Sequence, residues 1–338
     1  MSRFSLVSRE TKYCLVAVLI AVAALVATAL GQEGAAPETA APETTAPDTA
    51  AETTENRIIT IDGSGGTQRG NLRYGPIIYE HPEPTGITAT VSTLTILGSY
   101  VELTAPEGVS IATGGERKAS FRNGVVVQRG RLEATGPTLE YDEATGLGVL
   151  SEDVEIEVAP EEEGDEPVLI TANAVSFDVD TDRSTSTGDV ELVNGNQTAS
   201  AQTLIFEEEN DLGVLSNEGG QTTITRVDDN GEQMTITADE IRVLTTENLL
   251  YAVGNVTVVD GPITSTGAVV YFDDASGIAE VIGSAEQPAE AVDADSGASL
   301  VTDRIKQDIE FDFFEAIDAS VPSDFDPATF ALKDEATE

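Results

Sequence analysis

The chain has 338 residues, of which 61 are acidic and 17 basic, and its formal net charge is −44. A charge of this size disfavours nucleic acid and other polyanions as partners. Cysteine and histidine occur once each, as Cys14 and His81, which leaves little material for a disulfide, a zinc site or a Ser–His pair. We therefore expect no enzymatic activity, no metal and no cofactor.

Residues 1–31 predict a signal peptide or an N-terminal membrane anchor. Basic side chains precede the uncharged apolar run 13–30, an order typical of export signals. Ala27 and Ala29 frame a small-x-small cleavage site, so a mature chain would start near Leu30. The same run is just long enough to span a bilayer, and a retained anchor in the inner membrane stays open as the alternative. Both interpretations place the rest of the chain in the periplasm or cell envelope.

The next segment, residues 32–56, repeats units that resemble Ala-Pro-Glu-Thr. Such a composition cannot bury enough apolar surface to offset the entropy of ordering the chain. We expect a disordered, extended linker here. The folded part is then expected to span residues 57–318, followed by an acidic C-terminal tail at 319–338.

A short stretch, residues 117–131, holds five of the 17 bases. They are Arg117, Lys118, Arg122, Arg129 and Arg131. One interpretation is a patch for an anionic head group or an acidic partner. The other is the solvated face of a hairpin.

The sequence contains an internal repeat. Residues 135–146, TGPTLEYDEATG, align without a gap with residues 266–277, TGAVVYFDDASG. Three further copies begin at Thr171, Ser200 and Thr237, so that successive copies start 29 to 37 residues apart. A recurring unit of this length is typical of stacked architectures in which each repeat completes the core of its neighbour.

Apolar residues alternate with polar ones through every copy, which predicts β-strands. In each copy the apolar set changes parity after a small residue. Either the strand has two apolar faces, or a bulge bends the strand so that both halves face one interior. The small residues favour the bend. The predicted corners are Gly136, Ala172, Ala201, Ala238 and Gly267.

These patterns predict an all-β fold, an elongated antiparallel sheet built from repeated hairpins and folded along its length around an apolar trough. The trough would be lined by apolar pairs on the outgoing and return strands of each repeat, while Ser176 and Arg242 would face outward. The outgoing pairs are Leu139, Tyr141, Val175, Phe177, Leu204, Phe206, Ile241, Val243, Val270 and Phe272. The return pairs are Val154, Ile156, Val190, Leu192, Val256 and Val258.

Two further features have competing interpretations. Asp178, Asp180 and Asp182 have a spacing seen in calcium loops, but Arg183 stands where such a loop needs glycine, and we expect no specific calcium site. The C-terminal segment holds half of the ten phenylalanines. They are Phe311, Phe313, Phe314, Phe325 and Phe330. This segment would form a last strand and a tail that covers the open sheet edge, or it would dock a partner.

The stretch 236–277, ITADEIRVLTTENLLYAVGNVTVVDGPITSTGAVVYFDDASG, resembles the LptA/OstA family of periplasmic lipopolysaccharide-transport proteins. The family pattern is an Ala-x-x-apolar-x-aromatic strand, an acidic turn, and then Gly-Asn/Asp-Val. Residues from about 130 to 290 match this pattern best, and 57–130 match more loosely. The resemblance implies a bent antiparallel β-jellyroll, also called a β-taco, whose trough carries lipid acyl chains.

Two functions follow from these observations. The first is a lipid-binding transport bridge or chaperone for lipopolysaccharide-type lipid. The resemblance implies that its partners are this lipid and other β-jellyroll envelope transport proteins. The unpaired strands at the two ends of an open sheet predict head-to-tail self-association. The second is a structural spacer or adaptor of the envelope, whose trough is filled by its own side chains. The free width of the trough distinguishes the two, and the sequence leaves that width open.

Overall fold

A computed structural model describes residues 56–335, except 162, 163, 165, 229, 310–312, 319, 322 and 324. The described residues belong to one unit of the chain, Asp48–Glu338. The predicted signal or anchor and almost all of the predicted linker lie outside them. Within the described ranges, no helix is both long enough and apolar enough to cross a membrane.

The described residues form one antiparallel sheet of 22 strands, with short 3-10 helices at Glu208–Asn210 and Pro327–Phe330. The strands are β1 (Thr60–Asp62), β2 (Thr67–Gly70), β3 (Ile77–Glu80), β4 (Ile87–Val91), β5 (Leu94–Thr104), β6 (Lys118–Arg129), β7 (Leu132–Asp142), β8 (Leu147–Val158), β9 (Val168–Asp178), β10 (Arg183–Asn194), β11 (Gln197–Glu207), β12 (Leu212–Ser216), β13 (Thr222–Val227), β14 (Gln233–Ala238), β15 (Glu240–Leu244), β16 (Leu249–Asp260), β17 (Ile263–Asp273), β18 (Ile278–Ile282), β19 (Ala289–Asp293), β20 (Ser299–Thr302), β21 (Arg304–Asp308) and β22 (Phe313–Ile317).

The sheet is folded into two half-sheets that share the long strands. Each long strand bends near its middle, and shorter strands pair with its two halves separately: β12 pairs with the C-terminal half of β11, and β13 with its N-terminal half. We call half-sheet A the part that contains β2, β3, β12, β15, β18, β21 and β22. Half-sheet B contains β1, β4, β13, β14, β19 and β20. The predicted all-β, bent antiparallel fold is confirmed.

The bends coincide with register shifts, and the predicted corners lie at them. Between β16 and β17, for example, Val256 pairs with Gly267 whereas Val253 pairs with Val269, so two residues of β16 stand opposite one residue of β17 outside the ladder. Four return strands carry consecutive residues with positive φ at this point. The pairs are Asn123–Gly124, Glu152–Asp153, Gly188–Asp189 and Gly254–Asn255. Glycine, asparagine and aspartate reach this left-handed conformation most easily, which explains the Gly-Asn/Asp-Val triplets of the sequence.

The main core lies between the two half-sheets. It extends as one cluster of buried apolar side chains from Ile59, just before the first strand, to Ile305 in β21. The alternation of the strands explains it, because every second side chain faces the interior and the bulge restores the same facing beyond each bend.

A second, smaller cluster lies on the outer face of half-sheet A. Leu212, Val214, Leu244 and Tyr271 form its floor, and the C-terminal residue Phe330, only 2% exposed, packs on it. We call the described residues of the range 318–335, which leaves out 319, 322 and 324, the C-terminal strap. One of the two interpretations drawn from the sequence was a last strand and a tail that covers the open sheet edge. That expectation needs correction, because the apolar surface that needs covering here is a face, and the strap lies on it.

The strap runs across the strands of half-sheet A. It begins over β21, where Arg304 Nη2 donates to the carbonyl of Val321 at 2.8 Å. Phe325 then stacks on Tyr271 of β17, with ring centroids 4.9 Å apart. Farther on, Asp334 pairs with Arg183 of β10 at 2.6 Å. The strap thus contacts strands that are far apart in the sheet.

The remaining phenylalanines of the segment divide between interior and solvent. Phe314 of β22 packs against the main core, whereas Phe313 is 63% exposed. Phe311 and the last three residues of the predicted acidic tail lie outside the described residues.

Candidate functional site: the apolar interior and its seam

All sixteen side chains that the sequence assigned to the trough point into the space between the half-sheets. Each is at most 2% exposed. The ten on outgoing strands lie in half-sheet A, and the six on return strands lie in half-sheet B. The predicted sidedness is therefore present in the fold. Ser176 and Arg242, their expected outward neighbours, are both partly exposed.

Large and small side chains alternate along the interior row nearest the strand ends of half-sheet A. From β7 to β11 the paired residues are Tyr141, Gly148, Phe177, Ser184 and Phe206. The three aromatic rings fit together because each has a small neighbour on the adjacent strand. A Cβ added to Gly148 would stand 3.5 Å from the Tyr141 ring. The protein's own side chains fill the trough along this row.

The interior opens at the C-terminal end of the sheet. A cavity of about 360 Å³ lies there. Ile263, Ala291 and Leu300 of half-sheet B face Phe314 of half-sheet A across it. The cavity arises because β22 extends only half-sheet A, so that β19 and β20 have no described strand beyond them in half-sheet B. A preformed apolar opening is thus present at one end of a filled interior.

A buried ion pair stabilises the N-terminal end of the sheet. Glu143 is fully buried, and its Oε1 lies 2.6 Å from Nη2 of Arg117. The backbone N–H groups of Ile59 and Gly115 also donate to this carboxylate, at 2.9 and 2.8 Å. Burial alone would raise the pKa of Glu143, but Arg117 and these backbone donors hold that pKa below its usual value. The pair fixes the segment before β1 against the turn after β7.

The strand ends of the two half-sheets face each other along a line that we call the seam. Lip A consists of the hairpin turns of half-sheet A, and lip B of the turns and chain end of half-sheet B. Among the described residues, ion pairs cross the seam at four points, and in every case the base belongs to lip B and the acid to lip A. They are Arg57–Asp180, Arg129–Glu208, Arg131–Asp211 and Arg226–Asp274.

Neutral donors add further contacts across the seam. Thr93 Oγ1 of lip B lies 2.7 Å from Oδ1 of Asp182. Asn194 Nδ2 donates to the carbonyl of Thr245 at 3.1 Å. Hydrogen bonds between two backbone groups behave differently: in the described ranges they join turns of the same lip and none crosses the seam. Side chains therefore close the mouth of the trough.

The five predicted head-group residues do not form one patch. Arg117 and Lys118 lie at lip A, Arg129 and Arg131 lie at lip B, and Arg122 lies near the bend of β6. Four of the five pair with acids of this chain. These pairs are Arg117–Glu143, Lys118–Asp142, Arg129–Glu208 and Arg131–Asp211. Arg122 Nε lies 3.3 Å from the hydroxyl of Ser120.

The aspartates with calcium-like spacing have other partners. Asp180 pairs with Arg57 across the seam, and Asp182 accepts the hydroxyl of Thr93. Asp178 accepts the backbone N–H of Asp180 at 2.9 Å. In the part of the chain that the structure describes, no group of acidic, histidine or cysteine side chains could hold a metal ion.

The seam is the part of the site that sequence reasoning missed. A usable signal exists, because Arg129, Arg131 and Arg226 all stand at or next to a strand end. In a chain with so few bases, their concentration at strand ends indicates pairing partners there. Which acids they meet depends on how far the half-sheets are twisted against each other, and no local pattern encodes that.

Residues 169–278, from β9 to the start of β18, match the family model described as "LptA/(LptD N-terminal domain) LPS transport protein". This match confirms the resemblance drawn from the repeats. No curated protein matches the chain. Among solved structures, LptH, described as the LptA homologous periplasmic component of the conserved lipopolysaccharide transport device from Pseudomonas aeruginosa, is 11% identical with a TM-score of 0.30. That alignment covers 47% of this chain and 90% of the other.

Proposed function

We propose that this protein is a non-enzymatic component of lipopolysaccharide-type lipid transport in the cell envelope, and that its interior holds acyl chains. The observation that carries this proposal is the single apolar interior that runs between the half-sheets and ends in an open apolar cavity. The family match over the central strands supports the same conclusion. The site of action would be the periplasm, with other β-jellyroll transport proteins as partners.

Acyl chains need no polar recognition code. Transfer of a methylene group from water into an apolar interior contributes about 0.8 kcal/mol. The C-terminal cavity of about 360 Å³ lies within the usual range of ligand pockets, about 300–1,000 Å³. A chain that starts in this cavity and continues inward has to part the two half-sheets, because the central rows are filled. Energy for directional movement would come from elsewhere in the assembly.

A structural spacer is the second candidate. The observation that favours it is the packing of Tyr141, Phe177 and Phe206, which are at most 1% exposed and fill the trough without a ligand. A spacer would use the same repeats only to bridge a distance.

Photo-crosslinking at adjacent, oppositely facing positions tests the proposal. Leu300 lines the C-terminal cavity, while the next residue, Val301, is 57% exposed. A photoreactive amino acid at 300 is expected to capture acylated lipid in cells of the native host, and the same probe at 301 to capture little. Probes at Phe177 and Ser176 repeat the comparison in the filled centre, with a melting curve to show that the probe at 177 preserves the fold.

The pattern of labelling separates the candidates. Lipid on 300 and 177, but not on 301 and 176, supports a carrier whose chains reach the centre. Equal labelling at all four positions contradicts a sided trough. If a folded protein captures no lipid at any position, the carrier proposal fails and the spacer takes its place.

A further inference from the structure

We propose that the seam is a clasp: its side-chain contacts hold the half-sheets together, and loading of the interior requires them to separate along this line. This inference rests on the proposed function and specifies how access to the same interior is regulated. Its first support is the filled central interior, where the sixteen inward side chains are each at most 2% exposed, so that a guest beyond the C-terminal cavity requires the half-sheets to move apart.

The positions of the backbone hydrogen bonds decide where separation can occur. Ladder bonds run between neighbouring strands of the same half-sheet, and the bonds between turns, such as Val179 N–H to the carbonyl of Gly146 and Val227 N–H to that of Asn196, also stay within one lip. Opening the seam therefore breaks none of these described bonds. Pulling neighbouring strands apart instead would break several bonds for each strand.

The bends provide the hinge for this movement. Each half-sheet continues into the other through paired left-handed residues, as at Gly188–Asp189 and Gly254–Asn255. These residues stand outside the ladder, because the register shifts from Thr187 to Val190 on β10. A row of such bulges along the fold line lets the angle between the half-sheets change by small rotations at each one.

The charges make the clasp directional and sensitive to its surroundings. Lip B contributes the arginine and lip A the carboxylate at all four ion pairs, so opening separates four arginines from four carboxylates. The side chains of Arg226 and Asp274 are 14% and 16% exposed, and those of Arg57 and Asp180 are both 23% exposed. Pairs of this kind are weaker than fully buried ones and respond to salt.

Arg129 shows that the closed state is not fully satisfied. Its side chain is 4% exposed, and Nη2 has no hydrogen-bond partner among the residues that the structure describes. Nε reaches Glu208 only at 3.4 Å, and the guanidinium lies 6.0 Å from the Phe177 ring. A buried donor without a partner favours any state that hydrates it. The unpaired donor thus makes the closed seam less stable at the point where it covers the row of aromatic side chains that contains Phe177.

A covalent crosslink across the seam tests the clasp. In a chain with Cys14→Ser, the substitutions Arg226→Cys and Asp274→Cys remove one ion pair and allow a short bifunctional maleimide to lock the lips together. The matched control places cysteines at Gln128 and Glu133, whose side chains touch at 2.9 Å within lip B. Uptake of a dansyl fatty acid is followed by fluorescence in all forms.

We expect the locked seam to take up the probe about tenfold more slowly than the same chain without crosslinker, while the control crosslink changes nothing. Without crosslinker, loss of the ion pair is expected to speed uptake relative to the wild type. Equal uptake by locked and unlocked chains overturns the clasp and assigns access to the C-terminal cavity. Failure of the wild-type chain to bind the probe counts against the proposed function instead.

A measurement without lipid tests the clasp separately from the proposed function. Spin labels at Asn196 and Glu247, exposed turn residues on opposite lips, report the distance across the seam. Arg226→Ala is expected to add a longer distance to the distribution, and high salt to enlarge it. A distribution that is unchanged by both contradicts the clasp whatever the lipid measurements show.

Discussion

Glu152 has a backbone conformation that is costly for any residue with a side chain. Its φ is 71°, and that of the next residue, Asp153, is 48°. The equivalent bulges on β10 and β16 place Gly188 and Gly254 at this position. The left-handed region costs a residue with a Cβ roughly 1–2 kcal/mol, and glycine reaches it freely.

We therefore expect Glu152→Gly to stabilise the protein by about 1 kcal/mol, measured as the free energy of unfolding in urea. Glu155→Gly is the matched control, because Glu155 is exposed in the paired part of the same strand. There the glycine should lower stability by about 0.5–1 kcal/mol. A loss of stability in both variants would show that the bulge gains nothing from glycine.

For single residues, the sequence predicted where the strands bend but not which residues adopt the left-handed conformation at each bend. The parity change at Gly136 or Gly267 follows from which side chains are apolar, and burial enforces it. The left-handed pair lies on the return strand, and at Glu152–Asp153 it is hidden because a glutamate stands where other repeats have glycine. A periodic signal finds the position of a bend, whereas φ depends on the local chain path.

At the scale of an element, the strap is the clearest case of structure that tertiary contacts decide. β12 carries Leu212 and Val214 on its outer face, as well as Leu215 inside. The sequence left open whether strands have one or two apolar faces, and this one has two. Period-two alternation cannot mark a strand that is apolar on both sides. The partner of the outer face stands more than a hundred residues later in the chain.

Loss of Phe330 should release the strap. Burial is the main reason that the pKa of Tyr271 is raised to about 12, and Phe325 and Phe330 supply part of that burial. In Phe330→Ala we expect the pKa of Tyr271 to fall towards about 10, its value in water. The difference in phenolate absorbance between chains with and without Tyr271→Phe measures it during an alkaline titration.

The raised pKa of Tyr271 determines how the stability of the docked strap depends on pH. Contacts that keep the Tyr271 phenol neutral stabilise the docked strap below pH 10, and this contribution is lost as the pH rises from there towards 12. Phe313→Ala is the control, since Phe313 is 63% exposed and its loss should leave the titration unchanged. An unaltered Tyr271 titration in Phe330→Ala would mean that other contacts bury this phenol.

At the scale of the whole sheet, the ends are unequal. β1 and β2 form the edge at one end, and β20 and β22 form it at the other, with no further described strand paired to any of them. Unpaired edges expose backbone donors and acceptors, which another strand can satisfy. Head-to-tail association of copies, or of this chain with a related β-jellyroll, stays a prediction.

Sedimentation velocity over a range of concentrations checks self-association. We expect oligomers that grow with concentration, and we expect Val301→Glu to weaken them because it places a charge on the edge strand β20. Val227→Glu is the matched control, since Val227 is 43% exposed but lies at the end of β13, inside the sheet. A strict monomer in the wild type, or equal effects of both variants, would count against edge pairing.

The course of the strap has a mechanical consequence. Tension applied along the row of strands pulls neighbouring strands apart. Their hydrogen bonds then break one strand at a time. The strap runs along that direction from β21 to β10 and is anchored by Arg304, Arg242 and Arg183. It acts as a parallel tether, and the strands beneath it share any pull with three arginine anchors. The sheet before β10 lacks this tether among its described contacts, so a stretched molecule should begin to yield on that side.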